Sequence, residues 1–293
     1  MKNLKFLYIV IISVLGLQVQ AQQDPHFSLY KFNMNAVNPA YAGTNGSLEG
    51  IFSVRSQWTG TPDAPETFNF NVNSPVGKKV GLGLSVIADN VYVLNETHVY
   101  ADFSYKIPLS ETTNLFAGVK AGGSFLNINL SETGVQNDPL FTGDVSEFNP
   151  NVGVGFYLKA TKYYITASAP GLLSNDRFEK EASNPVEASD ELHMFLGGGY
   201  EFVFNENFAF KPSTMLRAVA GAPLSVDVTG AVAFKERLEL GGNYRLDESF
   251  TVFLTAGFID NALTFGYAYE NATTDVSNYN NGSHEVVLKF RLN

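Results

Sequence analysis

From residue 47 onward the chain alternates apolar and polar residues with a period of two, in segments longer than ordinary globular strands. Leu224, Val226, Val228, Val232 and Phe234 alternate with Ser225, Asp227, Thr229, Ala231 and Ala233. Val99, Ala101, Phe103, Tyr105 and Ile107 alternate with His98, Tyr100, Asp102, Ser104 and Lys106. Val286, Leu288, Phe290 and Leu292 alternate with Glu285, Val287, Lys289 and Arg291. Each set therefore shares one face of a strand. No segment shows a convincing 3.6-residue period. About fourteen strands are expected, starting near Ser47, Ala64, Val80, Thr97, Thr112, Asn149, Lys162, Glu191, Glu206, Leu224, Arg237, Ser249, Ala262 and Ser283. Most run about 9–14 residues. Globular strands average nearer 5–6 residues, whereas a tilted bilayer crossing takes about 9–11.

The connections narrow the fold further. Numbered in order, the even ones are short: Ser74–Lys79, Pro108–Thr113, and those around Thr161, Asn205, Glu236 and Asp260. The three longest are odd: Asn129–Phe148, Pro170–Asp190 and Glu270–Gly282. A Greek-key sandwich gives no reason for this parity. A single up-and-down antiparallel transmembrane β-barrel, all-β, with short periplasmic turns and longer external loops, predicts it. Closure also removes the exposed edges. The aliphatic and Phe positions then face lipid. Tyr92, Tyr105, Tyr157, Tyr163, Tyr244, Tyr267 and Tyr269 fall near strand ends and read as interfacial girdles. The opposite face carries Asp102, Lys106, Lys120, Asp227, Glu239, Arg245, Glu285, Lys289 and Arg291. In a membrane these must point into the lumen, because a charge facing lipid costs about 2–4 kcal/mol at the midplane.

The first residues read as an export signal. Lys2 and Lys5 precede a short apolar core from Phe6 to Leu17, and Val19-Gln20-Ala21 offers small residues for cleavage after Ala21. As a helix that core rises only about 18 Å, short of the roughly 30 Å hydrocarbon layer. No run of about 18 apolar residues follows it. The expected division is thus 1–21 signal peptide, 22–46 N-terminal segment and 47–293 barrel. Residues 22–46 carry Phe27, Tyr30, Phe32, Met34 and Tyr41 among Asn and Pro. Five large apolar side chains are wasteful in a disordered tail. The segment is therefore expected to fold into or under the barrel as a plug or clasp, the alternative being a loose periplasmic leader.

Composition excludes several chemistries. There is no cysteine, which removes disulfides, Cys-ligated zinc, iron–sulfur clusters and thiol nucleophiles. The formal net charge is −10, so no basic stripe for nucleic acid is expected. The four histidines, His26, His98, His193 and His284, show no metal-ligand spacing. His98 and His193 fall on the expected lumen face. No Gly-x-Ser-x-Gly elbow is present, and the runs Gly197-Gly198-Gly199 and Gly118 to Gly123 lack the Lys-Ser/Thr pair of a phosphate loop. Catalytic residues, metal and cofactors are all read as none.

The long loops are acidic. Loop five holds Glu132, Asp138, Asp144 and Glu147; loop seven holds Asp176, Glu179, Glu181, Glu187 and Asp190 against Arg177 and Lys180; loop thirteen adds Glu270 and Asp275. Two readings stand: a solvated surface, or an electrostatic landing surface for a partner. Weak Ca²⁺ binding fits the oxygen ligands, but the spacing is not that of an EF-hand.

Residues Gln23 to Gly46 resemble the opening of the PorP/SprF family of type IX secretion membrane proteins. So do Arg55-Ser56-Gln57-Trp58 with Ala64-Pro65, and Gly81-Leu82-Gly83-Leu84-Ser85. Gly118-Val119-Lys120-Ala121-Gly122, Pro150-Asn151-Val152-Gly153-Val154-Gly155, Lys211-Pro212-Ser213, Gly221-Ala222-Pro223 and Gly282-Ser283-His284-Glu285 follow in order. The resemblance covers essentially the whole chain after the signal. It implies an outer-membrane barrel of the type IX secretion and gliding motility apparatus. It implies a role in export, or cell-surface attachment, of proteins bearing a C-terminal secretion domain. It also implies association with a periplasmic peptidoglycan-binding lipoprotein and other secretion-machine subunits. The family offers no catalytic residues to carry over.

The expectation is a non-enzymatic outer-membrane barrel that recruits or anchors exported proteins. The alternatives are a passive channel for small or hydrophobic solutes, an outer-membrane hydrolase, and a soluble secreted β protein.

Overall fold

A computed structural model describes residues 27–133, 144–174 and 191–292. The signal peptide read over 1–21, residues 22–26, and the loop acids Asp138, Asp176, Glu179, Glu181, Glu187 and Asp190 lie outside the described residues, as does the Glu132 side chain.

The described residues form fourteen antiparallel strands: β1 (Leu48–Ser56), β2 (Glu66–Val76), β3 (Val80–Val91), β4 (Leu94–Pro108), β5 (Thr113–Ile128), β6 (Val145–Ala160), β7 (Tyr163–Ala169), β8 (His193–Tyr200 and Phe202–Val203), β9 (Phe208–Phe210 and Ser213–Val219), β10 (Ser225–Phe234), β11 (Leu238–Arg245), β12 (Ser249–Phe258), β13 (Leu263–Ala272) and β14 (Ser283–Leu292). Each pairs with the next, and β14 closes on β1 from Leu48↔Leu292 to Ser56↔His284. The interruptions in β8 and β9 do not break the register. Phe202 faces Phe210 and Gly199 faces Ser213, with the Tyr200 amide bonded to the Pro212 carbonyl at 3.0 Å. Pro212 has no amide to donate, so the ladder loses one bond there without losing its course.

The strand starts expected from alternation agree with those observed to within four residues. The largest departure is β6, which begins at Val145 rather than near Asn149. Its polar start reads as loop, yet the ladder with β5 continues to Ile128↔Val145. Glu147 is therefore a strand residue opposite Leu126, not a loop acid. Glu270 likewise belongs to β13. The longest connections, 129–144, 170–192 and 273–282, share one end of the barrel, here the loop end. Two other connections at that end, 92–93 and 246–248, are as tight as those at the opposite turn end.

The outward rows are apolar, and Val119, Phe156 and Leu240 are more than half exposed. The inward rows are polar: Asn69, Asn71, Asn73, Ser85, Ser104 and Thr251 are all buried. This inverts a water-soluble protein. The apolar face needs a hydrocarbon solvent, and the backbone groups are satisfied within the closed ring.

Residues 27–47 lie inside that ring. They contain one helical turn, α1 (Met34–Val37), and a 3-10 turn over Pro39–Tyr41. The Asn38 side chain caps the second turn by accepting from the Ala40 amide at 2.9 Å. Phe27, Tyr30, Phe32, Met34 and Tyr41 are all buried. Where this inner segment presents an apolar side chain, the wall answers with one. Phe116, Tyr157, Phe195 and Met215 surround Phe27, Tyr30, Met34 and Tyr41. Ile51, Phe253 and Val287 surround Leu29 and Phe32. Tyr157 thus departs from the girdle assignment. It faces inward, edge-on to Tyr41 with centroids 5.5 Å apart.

Two wall glycines make room for the segment. A Cβ at Gly118 would collide with the Ala40 backbone, and one at Gly81 with the Ala42 carbonyl. Only glycine allows the inner backbone to approach the wall this closely.

Candidate functional site

The lumen is organised in three charged layers, each tied to the inner segment. Alternation sets the layers, because opposite charges on neighbouring strands fall directly across the ladder: Arg55↔Glu285, Asp102↔Lys120 and Asp227↔Arg245.

At the loop end, Arg55 pairs with Glu270 at 2.8 Å and approaches Glu285 at 3.9 Å. Ser28 sits between them. Its amide donates to Glu285 Oε2 at 2.7 Å, its hydroxyl donates to Glu270 Oε2 at 2.9 Å, and Arg55 donates to that hydroxyl. Asn33 donates to the other Glu285 oxygen at 3.0 Å. Nearby, Arg245 holds Asp227 at 3.0 Å and donates to the Phe27 carbonyl at 3.2 Å.

In the middle layer, Lys120 lies 3.4 Å from Asp102. It also donates to the Ala36 carbonyl at 2.8 Å and the Asn35 carbonyl at 3.2 Å. Asn35 donates to Asp102 at 3.0 Å. Asn38 donates to the Thr166 hydroxyl at 2.7 Å, and the Ser104 hydroxyl donates to the Ala42 carbonyl at 2.6 Å. A buried charge pair is tolerable only when its remaining lone pairs and protons are met. Here the inner segment meets most of them: Asn35 and the Ala36 carbonyl engage Asp102 Oδ2 and Lys120, while Asp102 Oδ1 has only the Lys120 charge at 3.4 Å.

At the turn end, Glu49 takes Lys289 at 2.6 Å, the Tyr41 hydroxyl at 3.1 Å and Asn45 at 2.8 Å. Lys31 pairs with Glu239, and Lys211 lies 3.3 Å from Glu201. Burial pushes the Lys31 ammonium below its ordinary range, and Glu239 pulls it partly back. Burial raises the Tyr41 phenol well above its ordinary value, and the Glu49 carboxylate adds to the shift. A cavity of about 230 Å³ opens here, beside Lys31, Lys159, Lys211, Tyr157 and Tyr164.

The nine charges assigned to the lumen all stand on inward rows. Asp102, Lys120, Asp227, Arg245 and Glu285 are buried; Lys106, Glu239, Lys289 and Arg291 are half-buried near the turn end. His98 and His193 also face inward, while His284 faces outward and meets the Tyr267 hydroxyl at 2.7 Å. No group of three metal-ligating side chains occurs among the described residues. Of the loop acids, Asp144 accepts from the Ser131 amide at 3.1 Å and its hydroxyl at 2.9 Å. Sequence reasoning did not place Glu49 or Arg55 in the lumen, put Glu270 in a loop, and missed the asparagines of the inner segment. Glu49 and Arg55 were findable, since they share parity with Ile51 and Ser53. The asparagines carry no periodic signal.

Residues 19–290 match the family model described as type IX secretion system membrane protein PorP/SprF. The chain belongs to the PorP/SprF family. No curated protein matches it. Among solved structures it is similar to a Pseudomonas aeruginosa FadL homologue, with 11% identity over 87% of this chain and 91% of that one, at a TM-score of 0.51. It also matches Omp33, an outer membrane protein of Acinetobacter baumannii, with 10% identity over 84% of this chain and 98% of that one, at a TM-score of 0.49. The fold is that of an outer-membrane β-barrel, and the family places the protein in the outer membrane among type IX secretion components.

Proposed function

We propose that the protein is a non-enzymatic recruiting and anchoring subunit of type IX secretion. Its loop end, facing the cell surface, engages the C-terminal secretion domain of an exported protein. Its turn end, facing the periplasm, links to a peptidoglycan-binding lipoprotein. Short turns on the periplasmic side are the general rule for such barrels and set this orientation. The observation that carries the reading is the occupied lumen. The inner segment is hydrogen-bonded to the wall in all three charged layers, so the barrel interior serves as support and the two mouths serve as surfaces.

Purification from native envelopes in mild detergent, with co-purifying proteins identified by mass spectrometry, tests this. Near-equal amounts of a secretion-domain protein or a peptidoglycan-binding lipoprotein are expected. A barrel with no stoichiometric partner and steady conductance in planar bilayers would instead make it a passive channel.

A further inference from the structure

The turn end of the lumen holds more positive charge than its own carboxylates can meet. Six inward cations stand there, Lys31, Lys106, Lys159, Lys211, Lys289 and Arg291, against Glu49, Glu201 and Glu239. All three acids are engaged. Glu239 takes Lys31 and, at 3.9 Å, Lys211; Glu201 takes Lys211; Glu49 takes Lys289. Lys106, Lys159 and Arg291 form no ion pair among the described residues. Glu49 is the register partner of Arg291, yet its oxygens are held by Lys289, Tyr41 and Asn45. Lys159 reaches only neutral acceptors, the Thr44 carbonyl at 3.1 Å and Asn45 Oδ1 at 2.6 Å. The Arg291 Nε is buried and has no acceptor. Lys159 also feels the positive charges of Lys106, Lys289 and Arg291. Glu49 offsets part of the burial cost of Lys159, but it is already shared with Lys289, and half-buried like charges around it still repel one another.

We propose that this turn-end mouth is a docking site for an acidic polypeptide segment. The three unmatched cations stand on β4, β6 and β14, separated around the ring by other strands. From β14 to β6 is six strand steps, on the order of 29 Å along the wall at about 4.8 Å per strand, a span that suits an extended chain of carboxylates better than a single phosphate group. Lys159 lines the adjoining cavity together with the Tyr157 and Tyr164 rings, and the two carboxylates there, Glu201 and Glu239, are already paired with Lys211 and Lys31. The chain as a whole is acidic, with a formal net charge of −10, so a local surplus of cations is what would draw such a segment to this end. The inference deepens the periplasmic half of the function proposed above and rests on it only for the side of the membrane.

The test uses the full mature barrel in detergent and a fluorescently labelled peptide of alternating glutamate and glycine. Fluorescence anisotropy should show binding that weakens steeply with salt. Lys106→Gln, Lys159→Gln and Arg291→Gln together should weaken it by about tenfold or more, as expected for three ion pairs of ordinary strength. Lys106→Arg with Lys159→Arg should keep it, and heat-modified gel migration checks that each variant is folded. Should the triple variant not fold, Lys106→Gln alone must still lower both affinity and salt dependence. Absent peptide binding, undiminished binding by the glutamine variants, or equal displacement by inorganic pyrophosphate at matched charge would overturn the proposal. Loss of secreted cargo from envelope purifications, with peptide binding intact, would refute the recruitment reading alone.

Discussion

At the loop end of the lumen, Arg55, Glu270, Glu285, Arg245 and Asp227 bond both to one another and to Phe27, Ser28 and Asn33. At the turn end, Lys106, Lys159 and Arg291 form no ion pair among the described residues, and Glu49, the carboxylate that attracts Lys159, is already held by Lys289. The same residue types on the same inward rows therefore do two things. Where charges are matched and buried, they fix the inner segment. Where they are half-buried and form no ion pair, they leave a field for something else.

Removing a matched charge should have the largest effect. Glu285→Ala leaves Arg55 beside a single remaining carboxylate, strips the Ser28 amide of its acceptor and leaves Asn33 only the Leu29 carbonyl. Arg55 keeps Glu270 at 2.8 Å, so the cost falls on the donors left unsatisfied, about 1–3 kcal/mol each. The temperature at which the heat-modified band unfolds should drop, and limited proteolysis should begin to cut within residues 27–47. An unchanged midpoint would mean that the loop-end cluster does not hold the segment.

A smaller effect is expected at the wall glycines. Gly118→Val drives a side chain into the Ala40 backbone, an overpacking that costs about 1–3 kcal/mol. The damage should be local. The inner segment should become protease-sensitive while the barrel still migrates as folded, and single-channel recordings should gain conductance steps absent from the parent. A closed, protease-resistant variant would show that the wall yields instead.

The contrast between wall and inner segment also marks what the sequence made legible. Strand positions, parity and inward charges follow from a period-two pattern, which a lipid-facing barrel must keep on every strand. The polar start of β6 is the exception. Ser146 and Glu147 read as loop, although Phe148 packs on Phe125 with centroids 4.8 Å apart. Inward apolar residues were also hidden. Phe116, Tyr157 and Phe195 look like lipid-facing or girdle residues unless something apolar is known to lie inside. The path of residues 27–47 is set by individual contacts, such as Asn38 with Thr166 and Asn35 with Asp102. Such contacts have no period for a pattern to reveal. The glycines Gly81 and Gly118 did stand out in the sequence, but their cause lies in the chain they admit.

The smallest effect on stability is expected at the turn end. Lys106→Gln and Lys159→Gln remove repelling charges and no ion pair. Lys159→Gln gives up ammonium bonds to Thr44 and Asn45, worth about 1.5–3 kcal/mol each, and the attraction of Glu49, and gains relief from three like charges and from burying an ammonium. The two terms oppose, so the unfolding midpoint should stay close to that of the parent. It should also become less sensitive to salt, because ions in solution no longer have a surplus to screen. A large loss of stability would place Lys159 among the residues that fix the inner segment. The two ends of the lumen would then differ in exposure and not in purpose.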